Sequence, residues 1–283
     1  MAKNNKTWDT IFADPPDNIN LKYNLHSDHI PDEEYVHLLR QWLFVFTQRA
    51  RCVWFSYNVK WWVEIARIVT DLKQLFGHTV KVKLCVQIYT FGQHNQHDFG
   101  TNHRPILRIT RKDAPLYPDA IRIQSQRQIN GDSRANPAGR VPGDVFDFPR
   151  VTSNSKQRRR WHPTDAIRIQ SQRQINGDSR ANPAGRVPGD VFDFPRVTGN
   201  SKQRRRWHPT QLHERLVERC IKMTTLPGER VLDPFGGTGT TLRVCKQISR
   251  ECTLLEIDSF YCEQIAKENA LEQVSENTWS EDL

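Results

Sequence analysis

The sequence predicts an α/β fold with helices covering a parallel sheet, and three observations carry that reading. Short apolar runs rich in β-branched and aromatic residues alternate with longer amphipathic runs. A glycine-rich turn (FGGTGT) joins one apolar run directly to a helical one. Acidic residues stand where two of the apolar runs end, in ADPPD and in LLEID.

Taken in order, 7–14 (TWDTIFAD) reads as a buried strand, 33–50 as an amphipathic helix, 51–58 (RCVWFSYN) as a strand and 60–76 as a helix. Two further strands, 81–91 (KVKLCVQIYTF) and 104–111 (RPILRITR), flank a polar loop. Later come a helix at 211–225, a strand at 230–235 (RVLDPF), a helix at 241–249, a strand at 252–258 (CTLLEID) and a last helix from about 260 to 271. Trp54, Trp61 and Trp62 are expected in the core.

With 37% apolar residues in 283, the chain can bury a sizeable core, in one large domain or two smaller ones. The N-terminus lacks the apolar stretch of a leader, and no apolar run approaches the ~18 residues of a membrane span, so a soluble cytoplasmic protein is expected. Cys52, Cys85, Cys220, Cys245, Cys252 and Cys262 form no CxxC pair and read as reduced structural thiols. His94, His97 and His103 lack the spacing of a metal set, so no metal is expected.

The net charge of +9 points to a polyanionic partner, and its distribution is informative. Residues 119–164 recur as 165–210 with one difference, Ser153 against Gly199. Each copy carries eight Arg, one Lys and four Asp, so the pair supplies +10 and the rest of the chain −1. Arg, Gln and Asn reach phosphates and base edges, which suits a nucleic-acid surface; a solvated loop region is the plainer alternative. Two copies are too few for a solenoid. Near identity at solvent-facing positions means one copy is redundant.

In VLDPFGGTGTT, Gly236, Gly237 and Gly239 let the backbone close on a ligand at the start of a helix, in the company of Asp233. Glu256, seventeen residues past Gly239, is placed to accept hydrogen bonds from ribose hydroxyls, so a ribose-bearing cofactor is expected. The loop lacks the GK[ST] of a P-loop, and a dinucleotide fingerprint read from Gly237 would put Leu242 where a small residue is needed.

Together these motifs resemble those of the amino-group DNA methyltransferases that modify adenine N6 or cytosine N4. DPFGGTGTT looks like their S-adenosylmethionine loop and ADPPD like their D-P-P-Y catalytic motif. The order, catalytic motif first and cofactor loop last, is similar to their circularly permuted class, with a Rossmann-like sheet and an inserted basic target-recognition region. The resemblance implies a catalytic half at 1–111, a recognition insert at 112–207 and a cofactor half at 208–283. It assigns cofactor contacts to Asp233, Phe235, Gly236, Gly237, Gly239, Thr240 and Glu256, and, through the HPTQ segment, to His208 and Thr210.

The same resemblance gives Asp14, Pro15, Pro16 and Asp17 the catalytic role. Asp14 and the Pro15 carbonyl would accept hydrogens from the amine of a flipped base, and the prolines would fix the turn that aims them. The leading acid favours adenine N6, with cytosine N4 as the alternative. Asp17 stands where the family usually has a base-stacking aromatic, leaving Tyr23, Tyr57 or Trp61 to supply one. The class also usually has an acidic strand ahead of the catalytic strand, so either this chain is N-terminally truncated or it binds the adenine differently. Implied partners are double-stranded DNA and either a restriction nuclease or a second copy of the chain, with no membrane. A non-catalytic DNA-binding relic is the rival from another class, and an RNA or protein methyltransferase a third reading.

Overall fold

The computed structural model describes residues 7–24, 27–88, 101, 103–122, 133–140, 145–146 and 203–269. Its elements in chain order are β1 (Trp8–Ala13), α1 (Asp32–Arg49), β2 (Ala50–Ser56), α2 (Trp62–Phe76), β3 (Val80–Ile88) and β4 (His103–Arg111). There follow β5 (Val145–Phe146), α3 (Glu214–Thr224), β6 (Arg230–Asp233), α4 (Thr240–Gln247), β7 (Glu251–Leu254) and α5 (Ser259–Asn269).

One seven-stranded sheet organises the molecule, in the order β5-β3-β4-β2-β1-β6-β7. β1 lies inside it, parallel to β2 on one side and to β6 on the other. Alternation along the strands sends Ile11, Ala13, Val53 and Phe55 into a core with Leu39 and Leu43 of α1 and Ile65, Ile68 and Leu72 of α2. Phe12, Cys52 and Trp54 point the other way, onto Leu216, Val217, Cys220 and Ile221 of α3 and Val244 and Cys245 of α4.

Local chemistry sets the helix limits. Asp32, Glu33 and Glu34 crowd the first turn of α1, where the helix dipole favours negative charge, and Arg49 closes its last turn. The His213 ring accepts from the Arg215 N–H at 3.2 Å at the start of α3, and Asp258 accepts from the Phe260 N–H at 2.9 Å at the start of α5.

The structure departs from the sequence reading in three places. The parallel expectation fails at β4, which runs antiparallel to both β2 and β3. β4 pairs with β3 from Val80 to Ile88 as an antiparallel neighbour, the arrangement open to consecutive strands, which parallel pairing would not allow without a crossover. β7 stops at Leu254, so Glu256 belongs to the segment after the strand. Trp62 is no core residue: it is 59% exposed at the start of α2, whereas Trp54 and Trp61 are buried.

All six cysteines are free, with Cys52, Cys85, Cys220 and Cys245 buried. The described residues of the repeat are 119–122, 133–140 and 145–146 from the first copy and 203–210 from the second. His94 and His97 lie outside the described residues, as does the end of the expected 81–91 strand. Among the described residues no helix is long and apolar enough to cross a membrane, and no group of three or more His, Cys, Asp or Glu could hold a metal.

Candidate active site

The sheet order places a crevice before any side chain is considered. From β1 the chain passes through α1 to β2 on one side; from β6 it passes through α4 to β7 on the other. Connections that diverge from two adjacent parallel strands open a cleft beyond their carboxyl ends, where ligands bind in open α/β sheets. The segments leaving β1 and β6 at that point are Asp14-Pro15-Pro16-Asp17 and Pro234-Phe235-Gly236-Gly237.

The first segment is pinned from several sides. Tyr35 of α1 donates its hydroxyl to the Pro16 carbonyl, and the Trp61 indole N–H donates to the Asp17 carbonyl at 2.8 Å. Asn18, left-handed at φ 54°, donates to the Ile30 carbonyl and accepts from the Ile30 N–H. Both carboxylates meet one guanidinium: Arg104 donates through Nη2 to Asp14 Oδ1 at 2.7 Å and to Asp17 Oδ1 at 2.9 Å, and through Nη1 to Asp17 Oδ2 at 2.7 Å. Its Nε donates to Ser56 Oγ at the end of β2. Burial works against the Arg104 charge, but the two carboxylates more than offset it and hold its pKa well above the ordinary value. Among the described residues, no donor is bonded to the Pro15 carbonyl or to Asp14 Oδ2.

The second segment is a tight loop whose glycines are required by contact and conformation. A Cβ on Gly236 would stand 2.4 Å from Leu254 Cδ2, while Gly237 and Gly239 have φ of 50° and 69°. The loop is tied to the chain after β7, because the Gly236 N–H donates to the Leu255 carbonyl at 2.7 Å and the Gly237 N–H to Glu256 Oε2 at 2.6 Å. Burial raises the Glu256 pKa. Asp233, at the end of β6, is buried, and burial pushes its carboxyl up to about 7, with Asp14 and Glu256 adding to the effect.

His208 completes the crevice. Its Nδ1 lies 2.6 Å from the Thr210 carbonyl and 3.3 Å from the Thr210 N–H, and burial lowers its pKa. A Cβ on Gly237 would lie 3.5 Å from its Nε2. Tyr23, Trp207 and Tyr261 surround the ring at centroid distances of 5.6, 6.2 and 4.7 Å.

The fold thus gathers Asp14, Pro15, Pro16, Asp17, Asp233, Gly236, Gly237, Glu256 and His208 at the ends of β1 and β6. It does not gather every expected residue. Phe235 packs edge-on against Trp42 at 5.0 Å and Phe46 at 6.4 Å, on α1. Thr240 is buried against Thr238, with their hydroxyls 2.8 Å apart, and Thr210 is exposed. Of the aromatics raised as platforms, Tyr57 and Trp61 are buried, and Tyr23 is the one beside His208. Sequence reasoning missed Arg104 and Ile257, the latter 90% exposed next to Glu256. An Arg near the start of a strand, ahead of the apolar run Pro105–Leu107, was the available signal for the first, and an isoleucine between two acids for the second.

The sequence model of the DNA methylase family (N6/N4 type) matches residues 163–268. The chain is 25% identical over 268 residues to the Type II methyltransferase M.HpaI of Haemophilus parainfluenzae, covering 92% of this chain and 67% of that protein. It is 28% identical over 269 residues to the DNA adenine methyltransferase YhdJ of Escherichia coli (strain K12), covering 89% and 73%. In fold it is similar to the cytosine-N4-specific PvuII DNA methyltransferase, with a TM-score of 0.52 at 13% identity, covering 98% of this chain and 83% of that one. The sequence matches are to DNA methylases of the N6/N4 type, and the fold is similar to that of a DNA methyltransferase.

Proposed function

We propose that this chain transfers a methyl group from S-adenosylmethionine to an exocyclic amine in double-stranded DNA, with adenine N6 the favoured target. One observation supports this above the others: the two acceptors such an amine needs, Asp14 Oδ2 and the Pro15 carbonyl, carry no other bond among the described residues, while neighbouring carbonyls are taken. A base amine is a poor nucleophile because its lone pair is delocalised into the ring. Acceptors on its two hydrogens localise that pair on nitrogen, and Asp14 can take the proton the nitrogen sheds when it gains a fourth bond.

The crevice fits the donor on grounds of charge and shape. Burial raises the Asp233 pKa, with lesser repulsion from Asp14 and Glu256, and a cationic ligand among these carboxylates would offset that repulsion. Glu256 and the glycine loop would hold the ribose and the loop-facing end, with Ile257 offering apolar surface to the adenine and His208 closing the side at Gly237. When bound, S-adenosylmethionine supplies a methyl group on a sulfonium, whose C–S electron pair leaves with the sulfur as the N–C bond forms. Alignment supplies the rest of the rate.

In this reading 1–111 is the catalytic half of a permuted domain, 112–207 the recognition insert and 208–283 the cofactor half. The Type II names among relatives support a cognate restriction nuclease as partner. Cytosine N4 is the second reading, supported by the cytosine-N4-specific neighbour. The test is incubation of mixed-sequence duplex DNA with methyl-labelled S-adenosylmethionine, then digestion to nucleosides. N6-methyladenine is expected. N4-methylcytosine would select the second reading, and unlabelled DNA would leave a non-catalytic DNA-binding relic.

A further inference from the structure

We infer that Arg104 is the positioning residue of the catalytic motif, and that Asp17, at the place where the family usually puts an aromatic, anchors that arginine. The inference rests on the proposed role of Asp14. The guanidinium is shared unequally: Asp17 engages it through both oxygens and Asp14 through Oδ1 alone, leaving Asp14 Oδ2 to the crevice. Ser56 fixes the third edge, through Nε. A planar fork held on three sides cannot swing, so the carboxylate bonded to its remaining N–H direction is aimed by it. The Arg104 side chain is 15% exposed, so solvent does little to replace it.

Charge gives Arg104 a second effect. Two carboxylates brought to one guanidinium repel each other once it is gone, and like charges that close lead one member to hold a proton. A protonated Asp14 accepts more weakly from an amine and cannot take its proton. Asp14 is faced directly by Arg104, which it shares with Asp17, and at longer range by Tyr23, Tyr35, His208 and Asp233. Only Arg104 among these is a fixed positive charge.

The test compares Arg104→Gln, Arg104→Lys, Asp17→Asn and the double variant Arg104→Gln/Asp17→Asn, each checked for folding by circular dichroism. In Arg104→Gln, kcat at pH 7 is expected to fall by about tenfold or more with KM for DNA little changed, and the acid limb of the rate profile to move to higher pH. Arg104→Lys keeps the charge without the fork and should lie between. Removing the second charge in the double variant should return the acid limb toward that of the parent. An unmoved limb in Arg104→Gln, or a double variant no better than the single one, overturns the inference. The carboxyl carbon resonances of the aspartates, followed by NMR against pH, read the same effect without turnover. The Asp14 carboxyl resonance should differ between Arg104→Gln and the parent at pH 7, and an identical resonance overturns the inference even if the protein methylates nothing. An inactive parent would count against the proposed reaction alone. Should Arg104→Gln fail to fold, Arg104→Lys decides by the same two readouts.

Discussion

The Gly237 N–H donates to Glu256 Oε2 at 2.6 Å, so the loop leaving β6 and the segment leaving β7 are closed on each other. A carboxylate has lone pairs to spare beyond this bond and the one from the Asp258 N–H at 2.9 Å, and hydroxyls of a ribose can take them.

Glu256→Ala should therefore loosen the loop and remove the ribose acceptor at once. S-adenosylmethionine affinity measured by calorimetry is expected to drop by about tenfold or more, the worth of one to two hydrogen bonds to a charged group. Unchanged affinity would put the cofactor elsewhere.

Gly236→Ala tests shape rather than charge. The added methyl meets the Leu254 side chain and lies 3.0 Å from the Leu255 carbonyl, so the loop must shift. A stability loss of about 1–3 kcal/mol is expected in denaturant unfolding, together with weaker cofactor binding. Gly237→Val should also weaken binding, because its φ of 50° suits no β-branched residue. Parent-like stability in Gly236→Ala would mean that the neighbouring leucine yields freely.

Asp14→Ala should abolish methyl transfer, by roughly a hundredfold or more, while S-adenosylmethionine still binds. Asp17 and Ser56 retain Arg104 in that variant, so the fold should survive. Near-normal turnover on DNA would remove the acceptor mechanism.

Asp233 gives a pH dependence whose sign is fixed. Its folded pKa, about 7, lies above the model-peptide value of 3.8, so the folded state holds a proton that the unfolded state has lost between those values. Its contribution to stability is full below pH 3.8 and is lost as pH rises toward and through about 7. The total is on the order of a few kcal/mol. Asp233→Asn should flatten this slope in unfolding curves taken from pH 4 to 8, and a slope unaltered by the substitution would reject the assignment. Because a cationic ligand prefers the ionised carboxylate, S-adenosylmethionine should bind more tightly as pH rises through about 7 and release protons on binding.

Deletion of 119–164 tests the repeat. The described residues draw on the head of the first copy, including β5, and the tail of the second, and a single remaining copy contains both sequences. Stability and methyl transfer are expected to persist. Nonspecific DNA affinity should fall and its salt dependence flatten, since eight Arg and one Lys leave. Unfolding of the deletion protein would make both copies structural.

Most strands and helices were legible because periodicity is a local property, and each of the first four elements lies within a residue or two of its expected limits. The glycine loop and ADPPD were legible for the same reason: their chemistry is contained in a few consecutive residues. The bond from Arg104 to Asp14 spans 90 residues and depends on β4 folding back beside β2, a direction that strand patterning alone does not report. Trp62 was misassigned because three nearby tryptophans suggest one cluster, while the turn of α2 sends one of them outward.

The placement of β1 beside β6 also governs what happens if the polypeptide is cut. Thr10 of β1 donates to Thr224 Oγ1 at 2.8 Å, the Trp54 indole N–H donates to that same atom, and Phe12 packs among side chains of α3 and α4. The core on one face of the sheet is built almost wholly from the segment before the repeat, whereas the core on the other face draws on both segments. A protease nick between 147 and 202 would yield two pieces bound as tightly as halves of one domain. Produced separately, the segment after the repeat would leave Leu216, Val217, Cys220 and Ile221 without Phe12, Cys52 and Trp54 to pack on until the other segment is added.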